Sequence, residues 1–117
     1  LKPGGKIFIT DYCSGPKSEW SEEFSNYVNQ RGYDLREVSS YGEIFTDLGF
    51  KNVKAVDVTN LFVECLEAEL KKMDEIKLAF LNEFSLQDFN YLVEGWKAKL
   101  VRCARNEQKW GLFYCEK

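Results

Sequence analysis

The pattern of polar and apolar positions in this chain predicts three β-strands. Residues 7–10 form an apolar run without alternation, which is typical of a strand buried on both faces. Residues 51–58 alternate between polar and apolar side chains and predict a second strand. Residues 110–115 are rich in aromatic side chains and too apolar for a sheet edge, so we expect a third strand lying between two others.

Between these strands, apolar residues recur at helical spacing and predict α-helices. Ser18 is the expected N-cap of a first helix, and residues 40–48 predict a short second helix capped by Ser40. Residues 61–84 carry an apolar side chain every three or four positions, which predicts one long amphipathic helix or two shorter ones. Ser85 has the spacing of a helix start and begins another long helix.

These elements make one structural unit of the α/β class. Three strands with four or five helices are few for a complete sheet, and the first strand has an unpaired apolar edge. We expect a missing amino-terminal half of the same protein, or a second copy of this chain, to cover that edge. Because the chain opens on a Pro-Gly-Gly turn that leads directly into a buried strand, we interpret residues 1–117 as the carboxyl-terminal part of a larger protein.

Composition narrows the class of partner. The formal net charge is −3, with 16 basic and 19 acidic residues, so we expect no nucleic-acid partner. No segment reaches the roughly 18 consecutive apolar residues of a membrane span. The chain has no histidine and its four cysteines form no C-x-x-C pair, so we expect no metal site. Packed, reduced thiols favour a cytoplasmic location.

Five residues carry candidate binding chemistry. Tyr27 and Arg31 lie four positions apart on one predicted helix and share a face, and Tyr33 follows directly after that helix. Tyr12 lies near the end of the first strand, where open α/β sheets bind ligands, and Lys99 lies on the last helix. Hydroxyl groups and cations together form a donor set for a phosphate or a carboxylate. On spacing alone, packed tyrosines and solvated cations remain the alternative interpretation.

Several motifs resemble one family of methyltransferases. They are Leu1-Lys2-Pro3-Gly4-Gly5, Ile9-Thr10-Asp11-Tyr12-Cys13, Tyr27-Val28-Asn29-Gln30-Arg31-Gly32-Tyr33, Gly95-Trp96 with Lys99, and Trp110-Gly111. The first motif is shared broadly among class I methyltransferases, whereas the second, third and fourth are more specific. Over essentially its whole length, the chain resembles the S-adenosylmethionine-dependent phosphoethanolamine N-methyltransferases.

The resemblance implies the C-terminal half of a class I, Rossmann-like methyltransferase fold. It also implies an enzyme that methylates phosphoethanolamine and its mono- and dimethylated forms to phosphocholine, with residues 1–117 as the substrate-side part of the methyltransferase domain. The implied phosphate-binding residues are Tyr12, Tyr27, Arg31, Tyr33 and Lys99. Tyr12 is in addition a candidate catalytic residue.

The family pattern also implies parts that the chain lacks. These are the glycine-rich cofactor loop, the acidic residue that binds the cofactor ribose, and the Asp/His pair and tyrosine near the amine. We therefore assign no cofactor-binding residue and no general base, expect the S-adenosylmethionine site in the missing N-terminal half, and expect the isolated fragment to be inactive.

Two alternative functions remain open on the sequence. One is a class I methyltransferase with another acceptor, such as a sterol, a quinone or a small amine. The other is a non-catalytic assembly module that pairs through its exposed sheet edge.

Overall fold

The computed structural model describes residues 2–117 and contains a three-stranded sheet with four α-helices. In chain order the elements are β1 (Lys6–Ser14), α1 (Glu22–Arg31), α2 (Val38–Asp47), β2 (Lys51–Asp57), α3 (Thr59–Glu83), α4 (Leu86–Ala104) and β3 (Gln108–Glu116). A short 3-10 helix, Lys17–Glu19, precedes α1.

The last strand, β3, lies at the centre of the sheet. The strand order is β1-β3-β2, and β3 runs antiparallel to both neighbours. Gly111 of β3 lies opposite Asp11 of β1 and Asp57 of β2. Phe113 and Cys115 are 0% and 1% exposed, so the core is dense at this strand. The prediction of a third strand between two others is confirmed.

Helices cover both faces of β3. Because successive residues of a strand point to opposite sides, alternate residues of β3 contact different helices. On one face, Tyr41 of α2 stacks on Phe113 with ring centroids 4.2 Å apart. On the other face, Phe62 of α3 stacks on Trp110 with centroids 5.1 Å apart. Tyr12 is paired with Trp110 in the antiparallel register, so its side chain lies on the α3 face of the sheet.

Local sequence sets several helix ends. The hydroxyl oxygen of Ser21 accepts a hydrogen bond from the N–H of Phe24 and caps α1, which ends at Gly32 with a left-handed φ of 70°. Ser85 and Asp88 form a reciprocal capping box at the start of α4, as their spacing predicts. Helix α3 runs unbroken for 25 residues, which selects the single long helix over two shorter ones.

Two predicted helix starts are wrong. The first helix begins after Ser21 rather than Ser18, because Lys17–Glu19 forms a separate 3-10 turn. Helix α2 begins after Glu37, so Ser40 lies within its first turn and is not its cap. At α1 the Ser21 hydroxyl accepts from the N–H of Phe24 and donates to Glu107, whereas no side chain caps the start of α2.

Two predictions of burial are also wrong. Phe8 of β1 is 68% exposed. Within residues 2–117 only β3 pairs with β1, and no other element covers Phe8, which lies near the start of the strand on the same face as Tyr12. Cys65 is exposed, although all four cysteines are free as expected. Its neighbour Leu66 is 5% exposed and takes the inward position, and Cys65 lies about 100° around the helix from it.

Candidate anion-binding site

The five candidate residues line one cavity of about 100 Å³. The cavity, here called the tyrosine cavity, is lined by Tyr12, Tyr27, Arg31, Tyr33, Leu35, Lys99 and Gln108. β1 forms one wall of the cavity, α1 and the turn that follows it form a second wall, and α4 forms a third. Residues that are up to 96 positions apart in sequence, Tyr12 and Gln108, are therefore neighbours in the fold.

Helix α1 and the turn that ends it place three of these residues. The guanidinium carbon of Arg31 lies 5.6 Å from the ring centroid of Tyr27, one helical turn earlier. The left-handed Gly32 then reverses the chain, and the N–H of Tyr33 donates to the carbonyl oxygen of Val28 at 3.1 Å. This reversal brings the Tyr33 ring to 6.0 Å from the Tyr27 ring.

Tyr12 connects these residues to the sheet and to α4. Its ring packs edge-on against Trp110 and Phe62, with centroid distances of 5.0 and 6.0 Å. The ammonium nitrogen of Lys99 lies 5.8 Å from the Tyr12 ring centroid, and the Tyr33 ring lies 6.5 Å from it. Aromatic contacts thus fix the Tyr12 ring on the side of the cavity that faces α4.

Five polar side chains of the tyrosine cavity carry donors that lack a protein acceptor among residues 2–117. Among residues 2–117, no hydrogen bond or ion pair involves the hydroxyl groups of the three tyrosines, the guanidinium of Arg31 or the ammonium of Lys99. The lining includes two cations and no carboxylate, although the chain as a whole has a net charge of −3. This arrangement suits a compact anion with several acceptor oxygens.

Two residues near the cavity were missed by sequence reasoning. The guanidinium carbon of Arg102 lies 4.1 Å from the ring centroid of Tyr27, and its Nε donates to Oε1 of Gln108 at 2.8 Å. Arg102 lies three positions after Lys99, so helical spacing could have placed it on the same face. Gln108 begins a strand and gives no comparable signal, since only the tertiary fold brings it to the cavity.

A pair of polar groups on the opposite face holds β1 in place behind Tyr12. The hydroxyl of Tyr41 donates to Oδ2 of Asp11 at 2.8 Å, and the N–H of Tyr12 donates to Oδ1 of the same carboxylate at 2.8 Å. Burial, with the hydrogen bond to Asp11, raises the pKa of Tyr41 to about 12. Tyr41 is therefore a neutral donor at physiological pH, and its acceptor Asp11 lies within β1.

An open groove of about 640 Å³ adjoins the tyrosine cavity. The two share Tyr27, Arg31 and Lys99, and the groove continues along α4 past Trp96 and Tyr91. A ligand with an anionic end in the tyrosine cavity therefore has space for a further group on the α4 side.

Other kinds of site have little support in the described part of the chain. No group of three or more Cys, Asp or Glu residues within 2–117 is placed to hold a metal ion. None of the helices in this range is both long enough and apolar enough to pass through a lipid bilayer.

Comparison with known proteins gives close relatives in sequence, while no protein-family model matches the chain. The chain is 50% identical over 117 residues to phosphoethanolamine N-methyltransferase 1 of Arabidopsis thaliana, and it spans 24% of that protein. It is 42% identical over 117 residues to the phosphoethanolamine N-methyltransferase of Plasmodium falciparum, and it spans 44% of that protein. The chain therefore corresponds to less than half the length of each of these curated relatives.

Solved structures give the fold to which the chain corresponds. Phosphoethanolamine N-methyltransferase 2 of Haemonchus contortus, in complex with phosphomonomethylethanolamine and S-adenosylhomocysteine, matches all of the chain and 27% of that structure, with a TM-score of 0.92 and 38% identity. A putative sarcosine dimethylglycine methyltransferase from Galdieria sulphuraria matches all of the chain and 43% of that structure, with a TM-score of 0.80 and 14% identity, and supports the fold alone. The predicted α/β fold, part of a class I methyltransferase, is confirmed. Over its whole length, this chain is similar in sequence and in fold to a segment of the phosphoethanolamine N-methyltransferases.

Proposed function

We propose that residues 1–117 are the C-terminal, substrate-binding part of a phosphoethanolamine N-methyltransferase. The full-length protein would transfer methyl groups from S-adenosylmethionine to phosphoethanolamine and to its mono- and dimethylated forms, giving phosphocholine. The observation that carries the proposal is the tyrosine cavity. Within residues 2–117 its three hydroxyls and two cations have no protein acceptor, and its lining includes no carboxylate. The similarity to relatives with this activity supports the same substrate class.

Each residue of the cavity has a part in this proposal. Arg31 and Lys99 neutralise the phosphate dianion, and the hydroxyls of Tyr12, Tyr27 and Tyr33 donate hydrogen bonds to its oxygens. Such a site selects a phosphorylated amino alcohol over the free one, because only the phosphate satisfies all of these donors. Holding the phosphate also orients the amine at the other end of the substrate, which reduces the entropy lost on reaching the transition state. Tyr12 is in addition the candidate for a direct role at the amine.

The described residues contain no turn of the kind that typically binds S-adenosylmethionine. A nucleoside-containing cofactor is typically held by a glycine-rich turn between a strand and a helix. In residues 2–117, β1 leads through Pro16 and a 3-10 turn into α1, and β2 leads through Val58 directly into α3. We assign no cofactor-binding residue here and propose that the cofactor binds to the part of the full-length protein that this chain does not span.

We further propose that the free edge of β1 pairs with the remaining part of the full-length protein or with a second copy of this chain. The exposed Phe8 on that strand supports an additional packing partner. Four free cysteines favour a reducing, cytoplasmic location for the protein.

A methyl-transfer assay of the full-length protein tests the proposed function. We expect methylation of phosphoethanolamine in the presence of S-adenosylmethionine, and no measurable methylation of ethanolamine, which is the matched acceptor without the phosphate. We expect the 117-residue chain alone to show no turnover. Turnover of a sterol, a quinone or a small amine without turnover of phosphoethanolamine would contradict the proposal.

A further inference from the structure

We infer that Gln108 is a further phosphate-binding residue of the tyrosine cavity and that Arg102 is the positioning residue that orients it. The identity of the anion rests on the proposed function, whereas the orientation of Gln108 rests on geometry alone. Gln108 is 4% exposed and lines the cavity, together with the five residues already assigned to the phosphate.

The hydrogen bond between Arg102 and Gln108 fixes which atom of the Gln108 amide faces Arg102. Nε of Arg102 lies 2.8 Å from the Gln108 side chain and has only a hydrogen to offer, since arginine is a donor without acceptor capacity. The carbonyl oxygen Oε1 of Gln108 must therefore face Arg102. The NH₂ group is attached to the same carbon and points away from Arg102, and among residues 2–117 it donates to no protein acceptor.

Arg102 is itself held firmly enough to perform this role. Its guanidinium carbon lies 4.1 Å from the ring centroid of Tyr27, a close cation–π contact, while its backbone lies in the last turn of α4. The guanidinium thus contacts α1 and β3 at once. Rotation of the Gln108 amide would break the one side-chain hydrogen bond that it makes within residues 2–117, so the NH₂ group stays available to an anion in the cavity.

Gln108→Glu is the sharpest substitution, because glutamate has nearly the same shape as glutamine. It keeps an oxygen for Arg102 and replaces the NH₂ donor with a second carboxylate oxygen, which repels phosphate. In the full-length protein we expect the KM for phosphoethanolamine to rise at least about 10-fold, as the loss of a hydrogen bond to a charged group predicts. We expect kcat and the KM for S-adenosylmethionine to change by less than about 3-fold, and the unfolding temperature to stay unchanged.

Gln108→Leu and Arg102→Met separate binding from positioning. Gln108→Leu removes the donor without adding charge and should raise the KM for phosphoethanolamine about 10-fold. Arg102→Met keeps an apolar stem against Tyr27 but removes the Nε donor, and should raise the same KM by a smaller factor. In the Gln108→Leu background, Arg102→Met should have no further effect on KM, because the amide that Arg102 orients is then absent. A purely structural role, or a direct contact of Arg102 with phosphate, predicts multiplicative effects and would overturn the positioning role.

Calorimetric titration with inorganic phosphate separates failure of this inference from failure of the proposed function. We expect phosphate to bind to the full-length protein and to lose about 10-fold or more of its affinity in Gln108→Glu. If that loss appears while phosphoethanolamine is not methylated, the anion site stands and the proposed function fails. If the folded Gln108→Glu and Gln108→Leu variants bind phosphate as tightly as the unaltered protein, or if that protein binds no phosphate, the inference is overturned.

Discussion

Glu107, next to the central strand β3, is hydrogen-bonded to Ser21 at the start of α1, the helix that contributes Tyr27 and Arg31 to the tyrosine cavity. Its Oε2 accepts a hydrogen bond from the backbone N–H of Ser21 at 2.7 Å and another from the Ser21 hydroxyl at 2.6 Å. Glu107 directly precedes β3 and is 3% exposed. Since α1 begins after Ser21 and carries Tyr27 and Arg31, this carboxylate sets the position of the helix relative to the sheet.

Glu107→Ala should lower the free energy of unfolding by about 2–4 kcal/mol, because two partly buried donors of Ser21 lose a charged acceptor. Glu107→Gln keeps an acceptor oxygen and should have a smaller effect. Urea unfolding of the full-length protein, followed by tryptophan fluorescence, measures both. A smaller loss in Glu107→Ala than in Glu107→Gln would contradict the assigned hydrogen bonds.

Glu23→Ala provides the matched control for this prediction. Glu23 lies in the first turn of α1, and its exposed carboxylate pairs with Arg105 at 3.4 Å. An exposed pair of this kind contributes little, so the free energy of unfolding should change by less than about 0.5 kcal/mol. If Glu23→Ala is as destabilising as Glu107→Ala, the hydrogen bonds between Glu107 and Ser21 are not what holds α1 in place.

Arg31→Ala should raise the KM for phosphoethanolamine by about 10- to 100-fold, because it removes a charge-assisted donor from the tyrosine cavity. The kcat should change much less, since Arg31 contacts the phosphate end of the substrate in the proposed function. Arg36→Ala is the control, because Arg36 is exposed, pairs with Asp34 and does not line the tyrosine cavity. Steady-state kinetics of the full-length protein would disprove the assignment of Arg31 if the two variants had equal KM values.

Part of this architecture is readable from sequence because it depends on neighbouring residues. The reciprocal capping box of Ser85 and Asp88, the left-handed Gly32 and the shared helix face of Tyr27 and Arg31 all involve groups at most four positions apart. The central position of β3 follows from its apolar composition. For such features, local geometry and the tertiary structure agree.

Other features depend on contacts that sequence spacing does not encode. The hydrogen bond from Arg102 to Gln108 crosses from α4 to β3, and the bond from Ser21 to Glu107 joins residues 86 positions apart. The exposure of Phe8 depends on which elements lie beside β1, whatever the composition of the strand. The sequence therefore predicts which residue types bind an anion, while the fold determines which neighbours orient them.

Tyr41 makes the stability of the fold sensitive to alkaline pH. Its pKa is about 12 in the folded protein, above the value of about 10 for an exposed tyrosine, because of burial and the hydrogen bond to Asp11. A raised pKa contributes stability that is fully present below pH 10 and is lost as the pH rises from about 10 to about 12. Burial also raises the pKa of Cys13 to about 11, so part of the alkaline loss belongs to that thiol.

Tyr41→Phe isolates the tyrosine contribution. The variant should be about 1 kcal/mol less stable near pH 8, because Asp11 loses a hydrogen-bond donor. Its stability should then fall less steeply than that of the unaltered protein between pH 10 and 12, while the Cys13 contribution is common to both. Urea unfolding across this pH range checks the prediction, and parallel pH profiles would contradict it.

Gly111 of β3 is a position where an added methyl group has no room. A Cβ at this residue would lie 2.6 Å from Cζ of Phe113 and 2.8 Å from Sγ of Cys13, and both of those side chains are fully buried. Gly111→Ala should therefore destabilise the protein by about 1–3 kcal/mol through overpacking. Gly95, inside α4, has no atom within 4 Å of the corresponding position, so Gly95→Ala should stabilise the helix by about 0.5–1 kcal/mol.

Gly111→Ala should also change the KM for the proposed substrate. Gly111 is adjacent to Trp110, which packs edge-on against Tyr12, so displacement of β3 should move the Tyr12 ring and raise the KM for phosphoethanolamine. Thermal unfolding and steady-state kinetics of the full-length protein measure both effects. If Gly111→Ala stabilises the protein, the overpacking prediction is wrong and a methyl group fits between Gly111 and the side chain of Cys13. A destabilised variant with unchanged KM would show that the Tyr12 ring does not depend on the position of β3.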